Sequence, residues 1–106
     1  MTERVAEILK ELRSGLEALY GARLARTLVY GSQARGDARP WSDIDVAVVL
    51  KGPVDPFEEL HRTEQLVADT SLHWDTVIHC KFVGEASLAS GDRAILRNIE
   101  KEGLPV

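Results

Sequence analysis

The chain has 106 residues, a length that suits a single domain built around one hydrophobic core. Its formal net charge of −4 argues against broad electrostatic binding to DNA or RNA. The single cysteine, Cys80, excludes an internal disulfide, and the sequence shows neither a secretory leader pattern nor a long apolar run. We therefore expect a cytoplasmic protein that neither enters a membrane nor contacts nucleic acid directly.

The N-terminal segment is predicted to form an amphipathic helix over residues 2–20, ended by Gly21. Its apolar side chains recur at the three- and four-residue spacing of a helix that covers a sheet. These side chains are Val5, Ile8, Leu9, Leu12, Leu16 and Leu19. A short strand over residues 27–30 follows.

The rest of the chain alternates between strand and helix patterns. We predict a strand over 42–50, a helix over 55–69, a strand over 71–83 and a helix over 88–102. Asp55 and the proline after it form a typical helix start. The order indicates an α+β fold, a small mixed sheet with helices packed on one face and an active site on the other.

Two carboxylates stand on the otherwise apolar second strand, at Asp43 and Asp45. Alternate residues of a strand point to the same face, so both carboxylates are expected at one place. Such a pair suits Mg²⁺, which takes one or two carboxylates together with substrate phosphates, and two bridged metal ions are a known arrangement. The alternative is structural, with Asp43 capping a loop and Asp45 paired with an arginine.

Gly31 and Ser32 follow the first strand and precede a predicted helical turn. Glycine lets a phosphate approach the backbone closely, and the N–H groups at a helix start favour an anion. Ser32 adds a hydroxyl that can bond a phosphate. The alternative role of Ser32 is that of a simple helix cap.

A third acid is expected at a two-metal site, and Asp75 is the candidate. In the alternation predicted for 71–83, Asp75 faces the same open side as Asp43 and Asp45. It would ligate a metal ion and accept the proton of the attacking group. The alternative is an exposed aspartate at the end of the strand.

Together, Gly31-Ser32, Asp43-x-Asp45 and Asp75 resemble the motif of minimal nucleotidyltransferases of the DNA polymerase β-like superfamily. The stretch GSQARGDARPWSDIDVAVVL also resembles the small members that act as antitoxins beside HEPN-domain toxins. The resemblance implies a polymerase β-like palm fold. It also implies ATP and triphosphate binding by Gly31 and Ser32, and two Mg²⁺ ions held by the three aspartates.

The antitoxin resemblance further implies AMP transfer to a tyrosine hydroxyl of a HEPN ribonuclease toxin, within a hetero-oligomer of type VII-like character. One alternative is a non-catalytic antitoxin that neutralises its partner by occlusion; another is transfer to a small molecule such as an aminoglycoside. Arg35 belongs to the motif, and it either contacts a phosphate or pairs with a nearby acid. Trp41 either stacks on a base or contacts a partner, and His79 either contacts the substrate from the open face or has no special role.

Overall fold

A computed structural model describes residues 1–106 of the chain. A 3₁₀ turn, Gly21–Arg23, joins the first helix to the first strand. None of the helices combines the length and the apolar character needed to cross a membrane. The helices are α1 (Glu3–Tyr20), α2 (Ser32–Arg35), α3 (Pro56–Trp74), α4 (Glu85–Ser90) and α5 (Ala94–Glu102), and the strands are β1 (Leu24–Tyr30), β2 (Ile44–Leu50), β3 (Ile78–Gly84) and β4 (Leu104–Pro105).

The four strands form one mixed sheet in the order β3-β2-β1-β4. Strand β1 is antiparallel to β2 and to β4, whereas β2 and β3 run parallel. In this register Tyr30 lies opposite Asp45, and Asp45 lies opposite His79. These three residues form a row across the sheet, at the edge where β1 ends and β2 and β3 begin.

The larger hydrophobic cluster lies between one face of the sheet and helices α1 and α3. Thr2 caps α1 through a hydrogen bond from the Val5 amide, and Gly21 ends it at φ 53°, as the sequence predicted. The apolar stripe of α1 packs on alternate residues of β2, which leaves Asp45 on the opposite face. The buried cluster contains Val5, Ile8, Leu9, Leu12, Leu16, Tyr20, Val29, Ile44, Val46, Val48, Leu50, Ile78 and Phe82.

The other face of the sheet is covered in part by α4 and α5, which corrects the expectation of helices on one face only. Leu88, Leu96 and Ile99 of these helices are buried against the sheet. Their partners on the strands are Leu28, Ala47, Val49 and Val83. Asp45 and His79 lie outside both buried clusters, so this end of the second face remains accessible.

The third helix is longer than predicted, and the third strand is shorter. Helix α3 continues to Trp74, so the strand predicted over 71–83 begins only at Ile78. Thr63 and Thr70 explain the error, because both are buried and their hydroxyls bond backbone carbonyls one turn earlier. Polar residues on the buried face hid the helical spacing.

The predicted last helix is divided in two at Gly91. This glycine adopts φ 60° and donates its N–H to the Ser87 carbonyl, a left-handed ending that stops α4. Helix α5 then ends at Gly103, as predicted. The segment after Gly103 was not assigned from the sequence, and it forms β4, where Leu104 pairs with Val29.

Candidate active site

Asp43 and Asp45 both lie on the accessible part of the second face, next to β3. Asp43 immediately precedes β2, and the Ile44 amide bonds the Val77 carbonyl. The Asp43 Oδ2 atom lies 3.0 Å from the Nε2 atom of His79, whose backbone pairs with that of Asp45. Strand alternation and the sheet register therefore place the two aspartates and His79 on the same face of the sheet.

Asp45 is a half-buried carboxylate without a protein partner. It forms neither a side-chain hydrogen bond nor a salt bridge, and the only ion pair of Asp43 is with His79. The arginine partner considered for Asp45 from the sequence is not present. Burial and then the charge of Asp45 raise the pKa of the neighbouring Tyr30. The negative charge at this place is thus left largely uncompensated by the protein.

Gly31 is required at the start of α2 by both conformation and space. Its φ of 72° and ψ of −148° suit glycine, and an added Cβ would lie 2.8 Å from the Oδ2 atom of Asp45. Gly31 itself occupies the cap position of α2, without a side-chain cap bond. The alternative in which Ser32 caps the helix is therefore wrong.

A carboxylate already occupies the backbone donor of this turn. The Gly31 N–H donates to Oε1 of Glu102 over 3.1 Å, and the Arg35 guanidinium lies 3.4 Å from the same oxygen. Arg35 also pairs with Asp37 at 3.3 Å. Gly31 and Arg35 together form an oxyanion cradle, which we define as these two donors.

Asp75 lies away from this place. It follows α3 in a left-handed conformation, φ 48° and ψ 57°, and its backbone N–H closes the helix on the Ser71 and Leu72 carbonyls. It lines a cleft of about 600 Å³ with Arg39 and Ser42, but neither Asp43 nor Asp45 lines that cleft. The prediction that Asp75 shares their face is wrong, because Asp75 ends a helix instead of occupying a strand.

The two aspartates alone fit one divalent cation better than two. No three side chains among histidine, cysteine, aspartate and glutamate form a group that could hold a metal ion. Two carboxylates completed by substrate phosphates and water are nevertheless a common way to hold Mg²⁺. The donor set of Asp43 and Asp45 is therefore compatible with a cation that arrives with a nucleotide.

Cys80 is unsuited to nucleophilic chemistry. Burial raises the pKa of its thiol to about 12, so the reactive thiolate is scarce at neutral pH. The side chain is partly buried against the larger hydrophobic cluster.

Sequence reasoning missed the roles of His79 and Glu102 in this geometry. Alternation in the third strand placed His79 on the open face, but only the parallel register shows that it lies opposite Asp45. Glu102 is 71 residues from Gly31 in sequence and reaches it through the end of α5. No local pattern carries that contact.

Comparison with known families now decides what kind of protein this is. Residues 6–104 match the family of nucleotidyltransferase domains. The chain belongs to this family. The curated protein "Putative protein adenylyltransferase MJ0141" of Methanocaldococcus jannaschii is 30% identical over 74 residues, which cover 70% of this nucleotidyltransferase and 74% of the relative.

Solved structures confirm the predicted fold of this nucleotidyltransferase. A putative nucleotidyltransferase from Sulfolobus solfataricus superimposes with a TM-score of 0.62 at 18% identity, over 99% of this chain and 86% of the other. A toxin-antitoxin structure with AMP-PNP matches with a TM-score of 0.62 at 19% identity, over 98% of this chain and 72% of the other. The expected polymerase β-like α+β fold is confirmed.

Proposed function

We propose that this nucleotidyltransferase transfers AMP from ATP to a tyrosine hydroxyl of a HEPN ribonuclease toxin and thereby acts as its antitoxin. The family match and the relative named as a protein adenylyltransferase support nucleotide transfer to a protein. The fold shared with a toxin-antitoxin structure that contains AMP-PNP supports ATP and a toxin partner. The active complex is then a hetero-oligomer of the two proteins in the cytoplasm.

One observation carries the proposal: two aspartates, whose only side-chain partner is the imidazole of His79, lie beside an oxyanion cradle. A Cβ atom on Gly31 would lie 2.8 Å from Oδ2 of Asp45. The aspartates that would bind a cation therefore lie next to the oxyanion cradle that would bind a phosphate. The Glu102 carboxylate in the cradle supports its ability to bind an oxyanion such as a phosphate. A nucleotide triphosphate with a divalent cation has this combination of charges.

The residues then have separate tasks. Gly31, Ser32 and Arg35 hold the triphosphate, and Asp43 and Asp45 hold Mg²⁺, which supplies charge stabilisation at the phosphoryl oxygens when bound. The tyrosine oxygen of the partner forms a bond to the α-phosphorus. The bond from that phosphorus to the bridging oxygen breaks, pyrophosphate leaves, and the hydroxyl proton passes to solvent.

Intact-mass measurement of the partner tests this proposal. The HEPN protein co-expressed with the chain is incubated with ATP, Mg²⁺ and wild-type protein, or with Asp43→Asn or Asp45→Asn. Asp69→Asn, on the exposed surface of α3, is the matched control. We expect the partner to gain AMP with wild type and the control only. An unmodified partner that wild type and both site variants silence equally would rule out the enzymatic function.

A non-catalytic antitoxin is the second candidate, and the displaced Asp75 favours it. The site lacks the third acid that the sequence predicted, and Glu102 occupies the cradle. Under this alternative, the ribonuclease activity of the partner is suppressed at once and without ATP. Suppression that requires ATP and persists after the two proteins are separated would exclude occlusion.

A further inference from the structure

His79 contacts Asp43 and lies opposite Asp45 in the sheet, although it is not an acid. Its backbone pairs with that of Asp45 across the parallel strands β2 and β3, and its Nε2 atom contacts Oδ2 of Asp43 at 3.0 Å. The imidazole is 59% exposed, so the core does not hold it in this place. The contact with Asp43 is the only hydrogen bond of this side chain.

The direction of this hydrogen bond follows from chemistry. An ionised carboxylate has no proton to donate, so the Nε2 atom of His79 carries the hydrogen. A nitrogen that donates a hydrogen has no free lone pair for a metal ion. In this geometry the Nε2 atom of His79 supports Asp43 and is itself not available as a metal ligand.

We propose that His79 is a positioning residue that holds Oδ2 of Asp43 and thereby directs the other carboxylate oxygen toward the cation beside Asp45. Hydrogen bonds to ligating carboxylates fix their orientation, and their loss commonly lowers metal affinity by about 10–100-fold. The proposal rests on the proposed function, which supplies the cation. In this proposal His79, opposite Asp45 on β3, donates a hydrogen bond to Asp43, whereas a third carboxylate at this position would bind the cation directly.

The same arrangement predicts how the cation binds. The protein offers two carboxylates, and His79 already engages one oxygen of Asp43. Few protein oxygens are then left for a cation that prefers six oxygen ligands. We therefore expect weak binding of the cation alone and much tighter binding when nucleotide phosphates complete its coordination.

Mn²⁺ binding tests the role of His79 without measuring catalysis. Mn²⁺ is titrated by electron paramagnetic resonance into wild type, His79→Ala and His79→Gln, each alone and with AMP-PNP. Gln retains an N–H donor at a similar distance from the backbone. His73→Ala is the control, because His73 forms a comparable pair with Glu11 on the helical side of the molecule, at 2.9 Å.

We expect His79→Ala to raise the Mn²⁺ dissociation constant about 10-fold in the presence of AMP-PNP. His79→Gln should recover most of this loss, and His73→Ala should bind as wild type does. Pulsed spectra of the wild-type complex should lack the coupling of a directly bound imidazole nitrogen. That coupling, or equal affinity in wild type and His79→Ala, would overturn the inference and leave the proposed function intact. Absence of Mn²⁺ binding by wild type with AMP-PNP would contradict both.

Discussion

Two carboxylates on opposite sides of the sheet differ in how many hydrogen bonds the protein provides to them. Glu59 of α3 is 1% exposed and accepts hydrogen bonds from Tyr20, Arg23 and Arg62, each within 3.0 Å. Asp45 of β2 is only half-buried, and it accepts no hydrogen bond from a side chain. The Glu59 cluster, which we define as these four side chains, satisfies its carboxylate within the protein, whereas Asp45 has no side-chain partner in the protein.

The pKa of Glu59 reflects the hydrogen bonds that its carboxylate accepts. Burial alone would raise it, but the hydrogen bonds from Tyr20, Arg23 and Arg62 outweigh burial and hold the pKa below its ordinary value. Burial and the hydrogen bond to Glu59 also raise the pKa of Tyr20, which keeps the phenol protonated. Charge in the Glu59 cluster stabilises the contact between the end of α1 and the start of α3, and it is unavailable to a ligand.

Glu59→Gln should cause the largest loss of stability. The substitution leaves Arg23 and Arg62 without their carboxylate, and we expect the free energy of unfolding to fall by about 2–3 kcal/mol. Denaturant unfolding at pH 7 measures the change. Asp45→Asn is the matched comparison and should leave the stability unchanged or slightly higher, since it removes an unpaired charge. Equal losses in the two variants would contradict the distinction between the two carboxylates.

The stability difference between wild type and Glu59→Gln should narrow in acid. Because the folded pKa of Glu59 lies below the unfolded value of about 4.3, its ionisation stabilises the fold above that pH. This contribution is lost as the pH falls through the folded pKa. Unfolding curves of both proteins from pH 7 down to pH 3 measure the effect, and a difference that widens in acid would be inconsistent with it.

Gly31→Ala should affect both stability and binding. A non-glycine residue at φ 72° and ψ −148° is strained, which costs about 1–3 kcal/mol, and its Cβ would displace the Asp45 carboxylate. Gly36→Ala provides the control, because it also has positive φ, 83°, but meets no atom within 4 Å. We expect both variants to be destabilised and only Gly31→Ala to lose AMP-PNP binding, measured by calorimetry. Similar binding in both variants would argue against a role for Gly31 in the site.

Glu102→Gln should produce the smallest effect, a modest increase in the affinity for AMP-PNP. The Glu102 carboxylate competes with a phosphate for the Gly31 N–H and Arg35, so removing its charge should tighten AMP-PNP binding several-fold, by about 1 kcal/mol. Glu100→Gln, which affects an exposed pair with Arg26, serves as the control. Weaker binding by Glu102→Gln would indicate that Glu102 supports the cradle instead of occupying it.

The sequence predicted those features of the fold that depend on local patterns. The stripe of α1 from Val5 to Leu16, the ending at Gly21 and the outward direction of Asp45 each follow from spacing along a single element, and the structure confirms them. The assignment of Leu19 to the stripe is wrong, because Leu19 is 45% exposed and Tyr20 is buried in its place. The motif around Gly31 and Asp43 led to the correct family. Roles of individual site residues remain predictions.

Tertiary contacts explain what the sequence could not predict. The buried threonines of α3 concealed five further helical residues, and this moved Asp75 from a strand to a helix end. The short strand β4 forms through the pairing of Leu104 with β1. That pairing also brings Glu102, at the end of α5, to Gly31 at the end of β1. The placement of His79 required the register of two parallel strands.

Thermal unfolding with Mg²⁺ and AMP-PNP tests the central claim, that Asp43 and Asp45 form the nucleotide site while the Glu59 cluster is structural. Ligand at about 100 times its dissociation constant contributes about 2.7 kcal/mol, so the melting temperature of wild type should rise by about 10 °C. Glu59→Gln should melt lower but gain a similar increment, whereas Asp45→Asn should melt near wild type and gain almost none. A full increment in Asp45→Asn, or its loss in Glu59→Gln, would contradict the account.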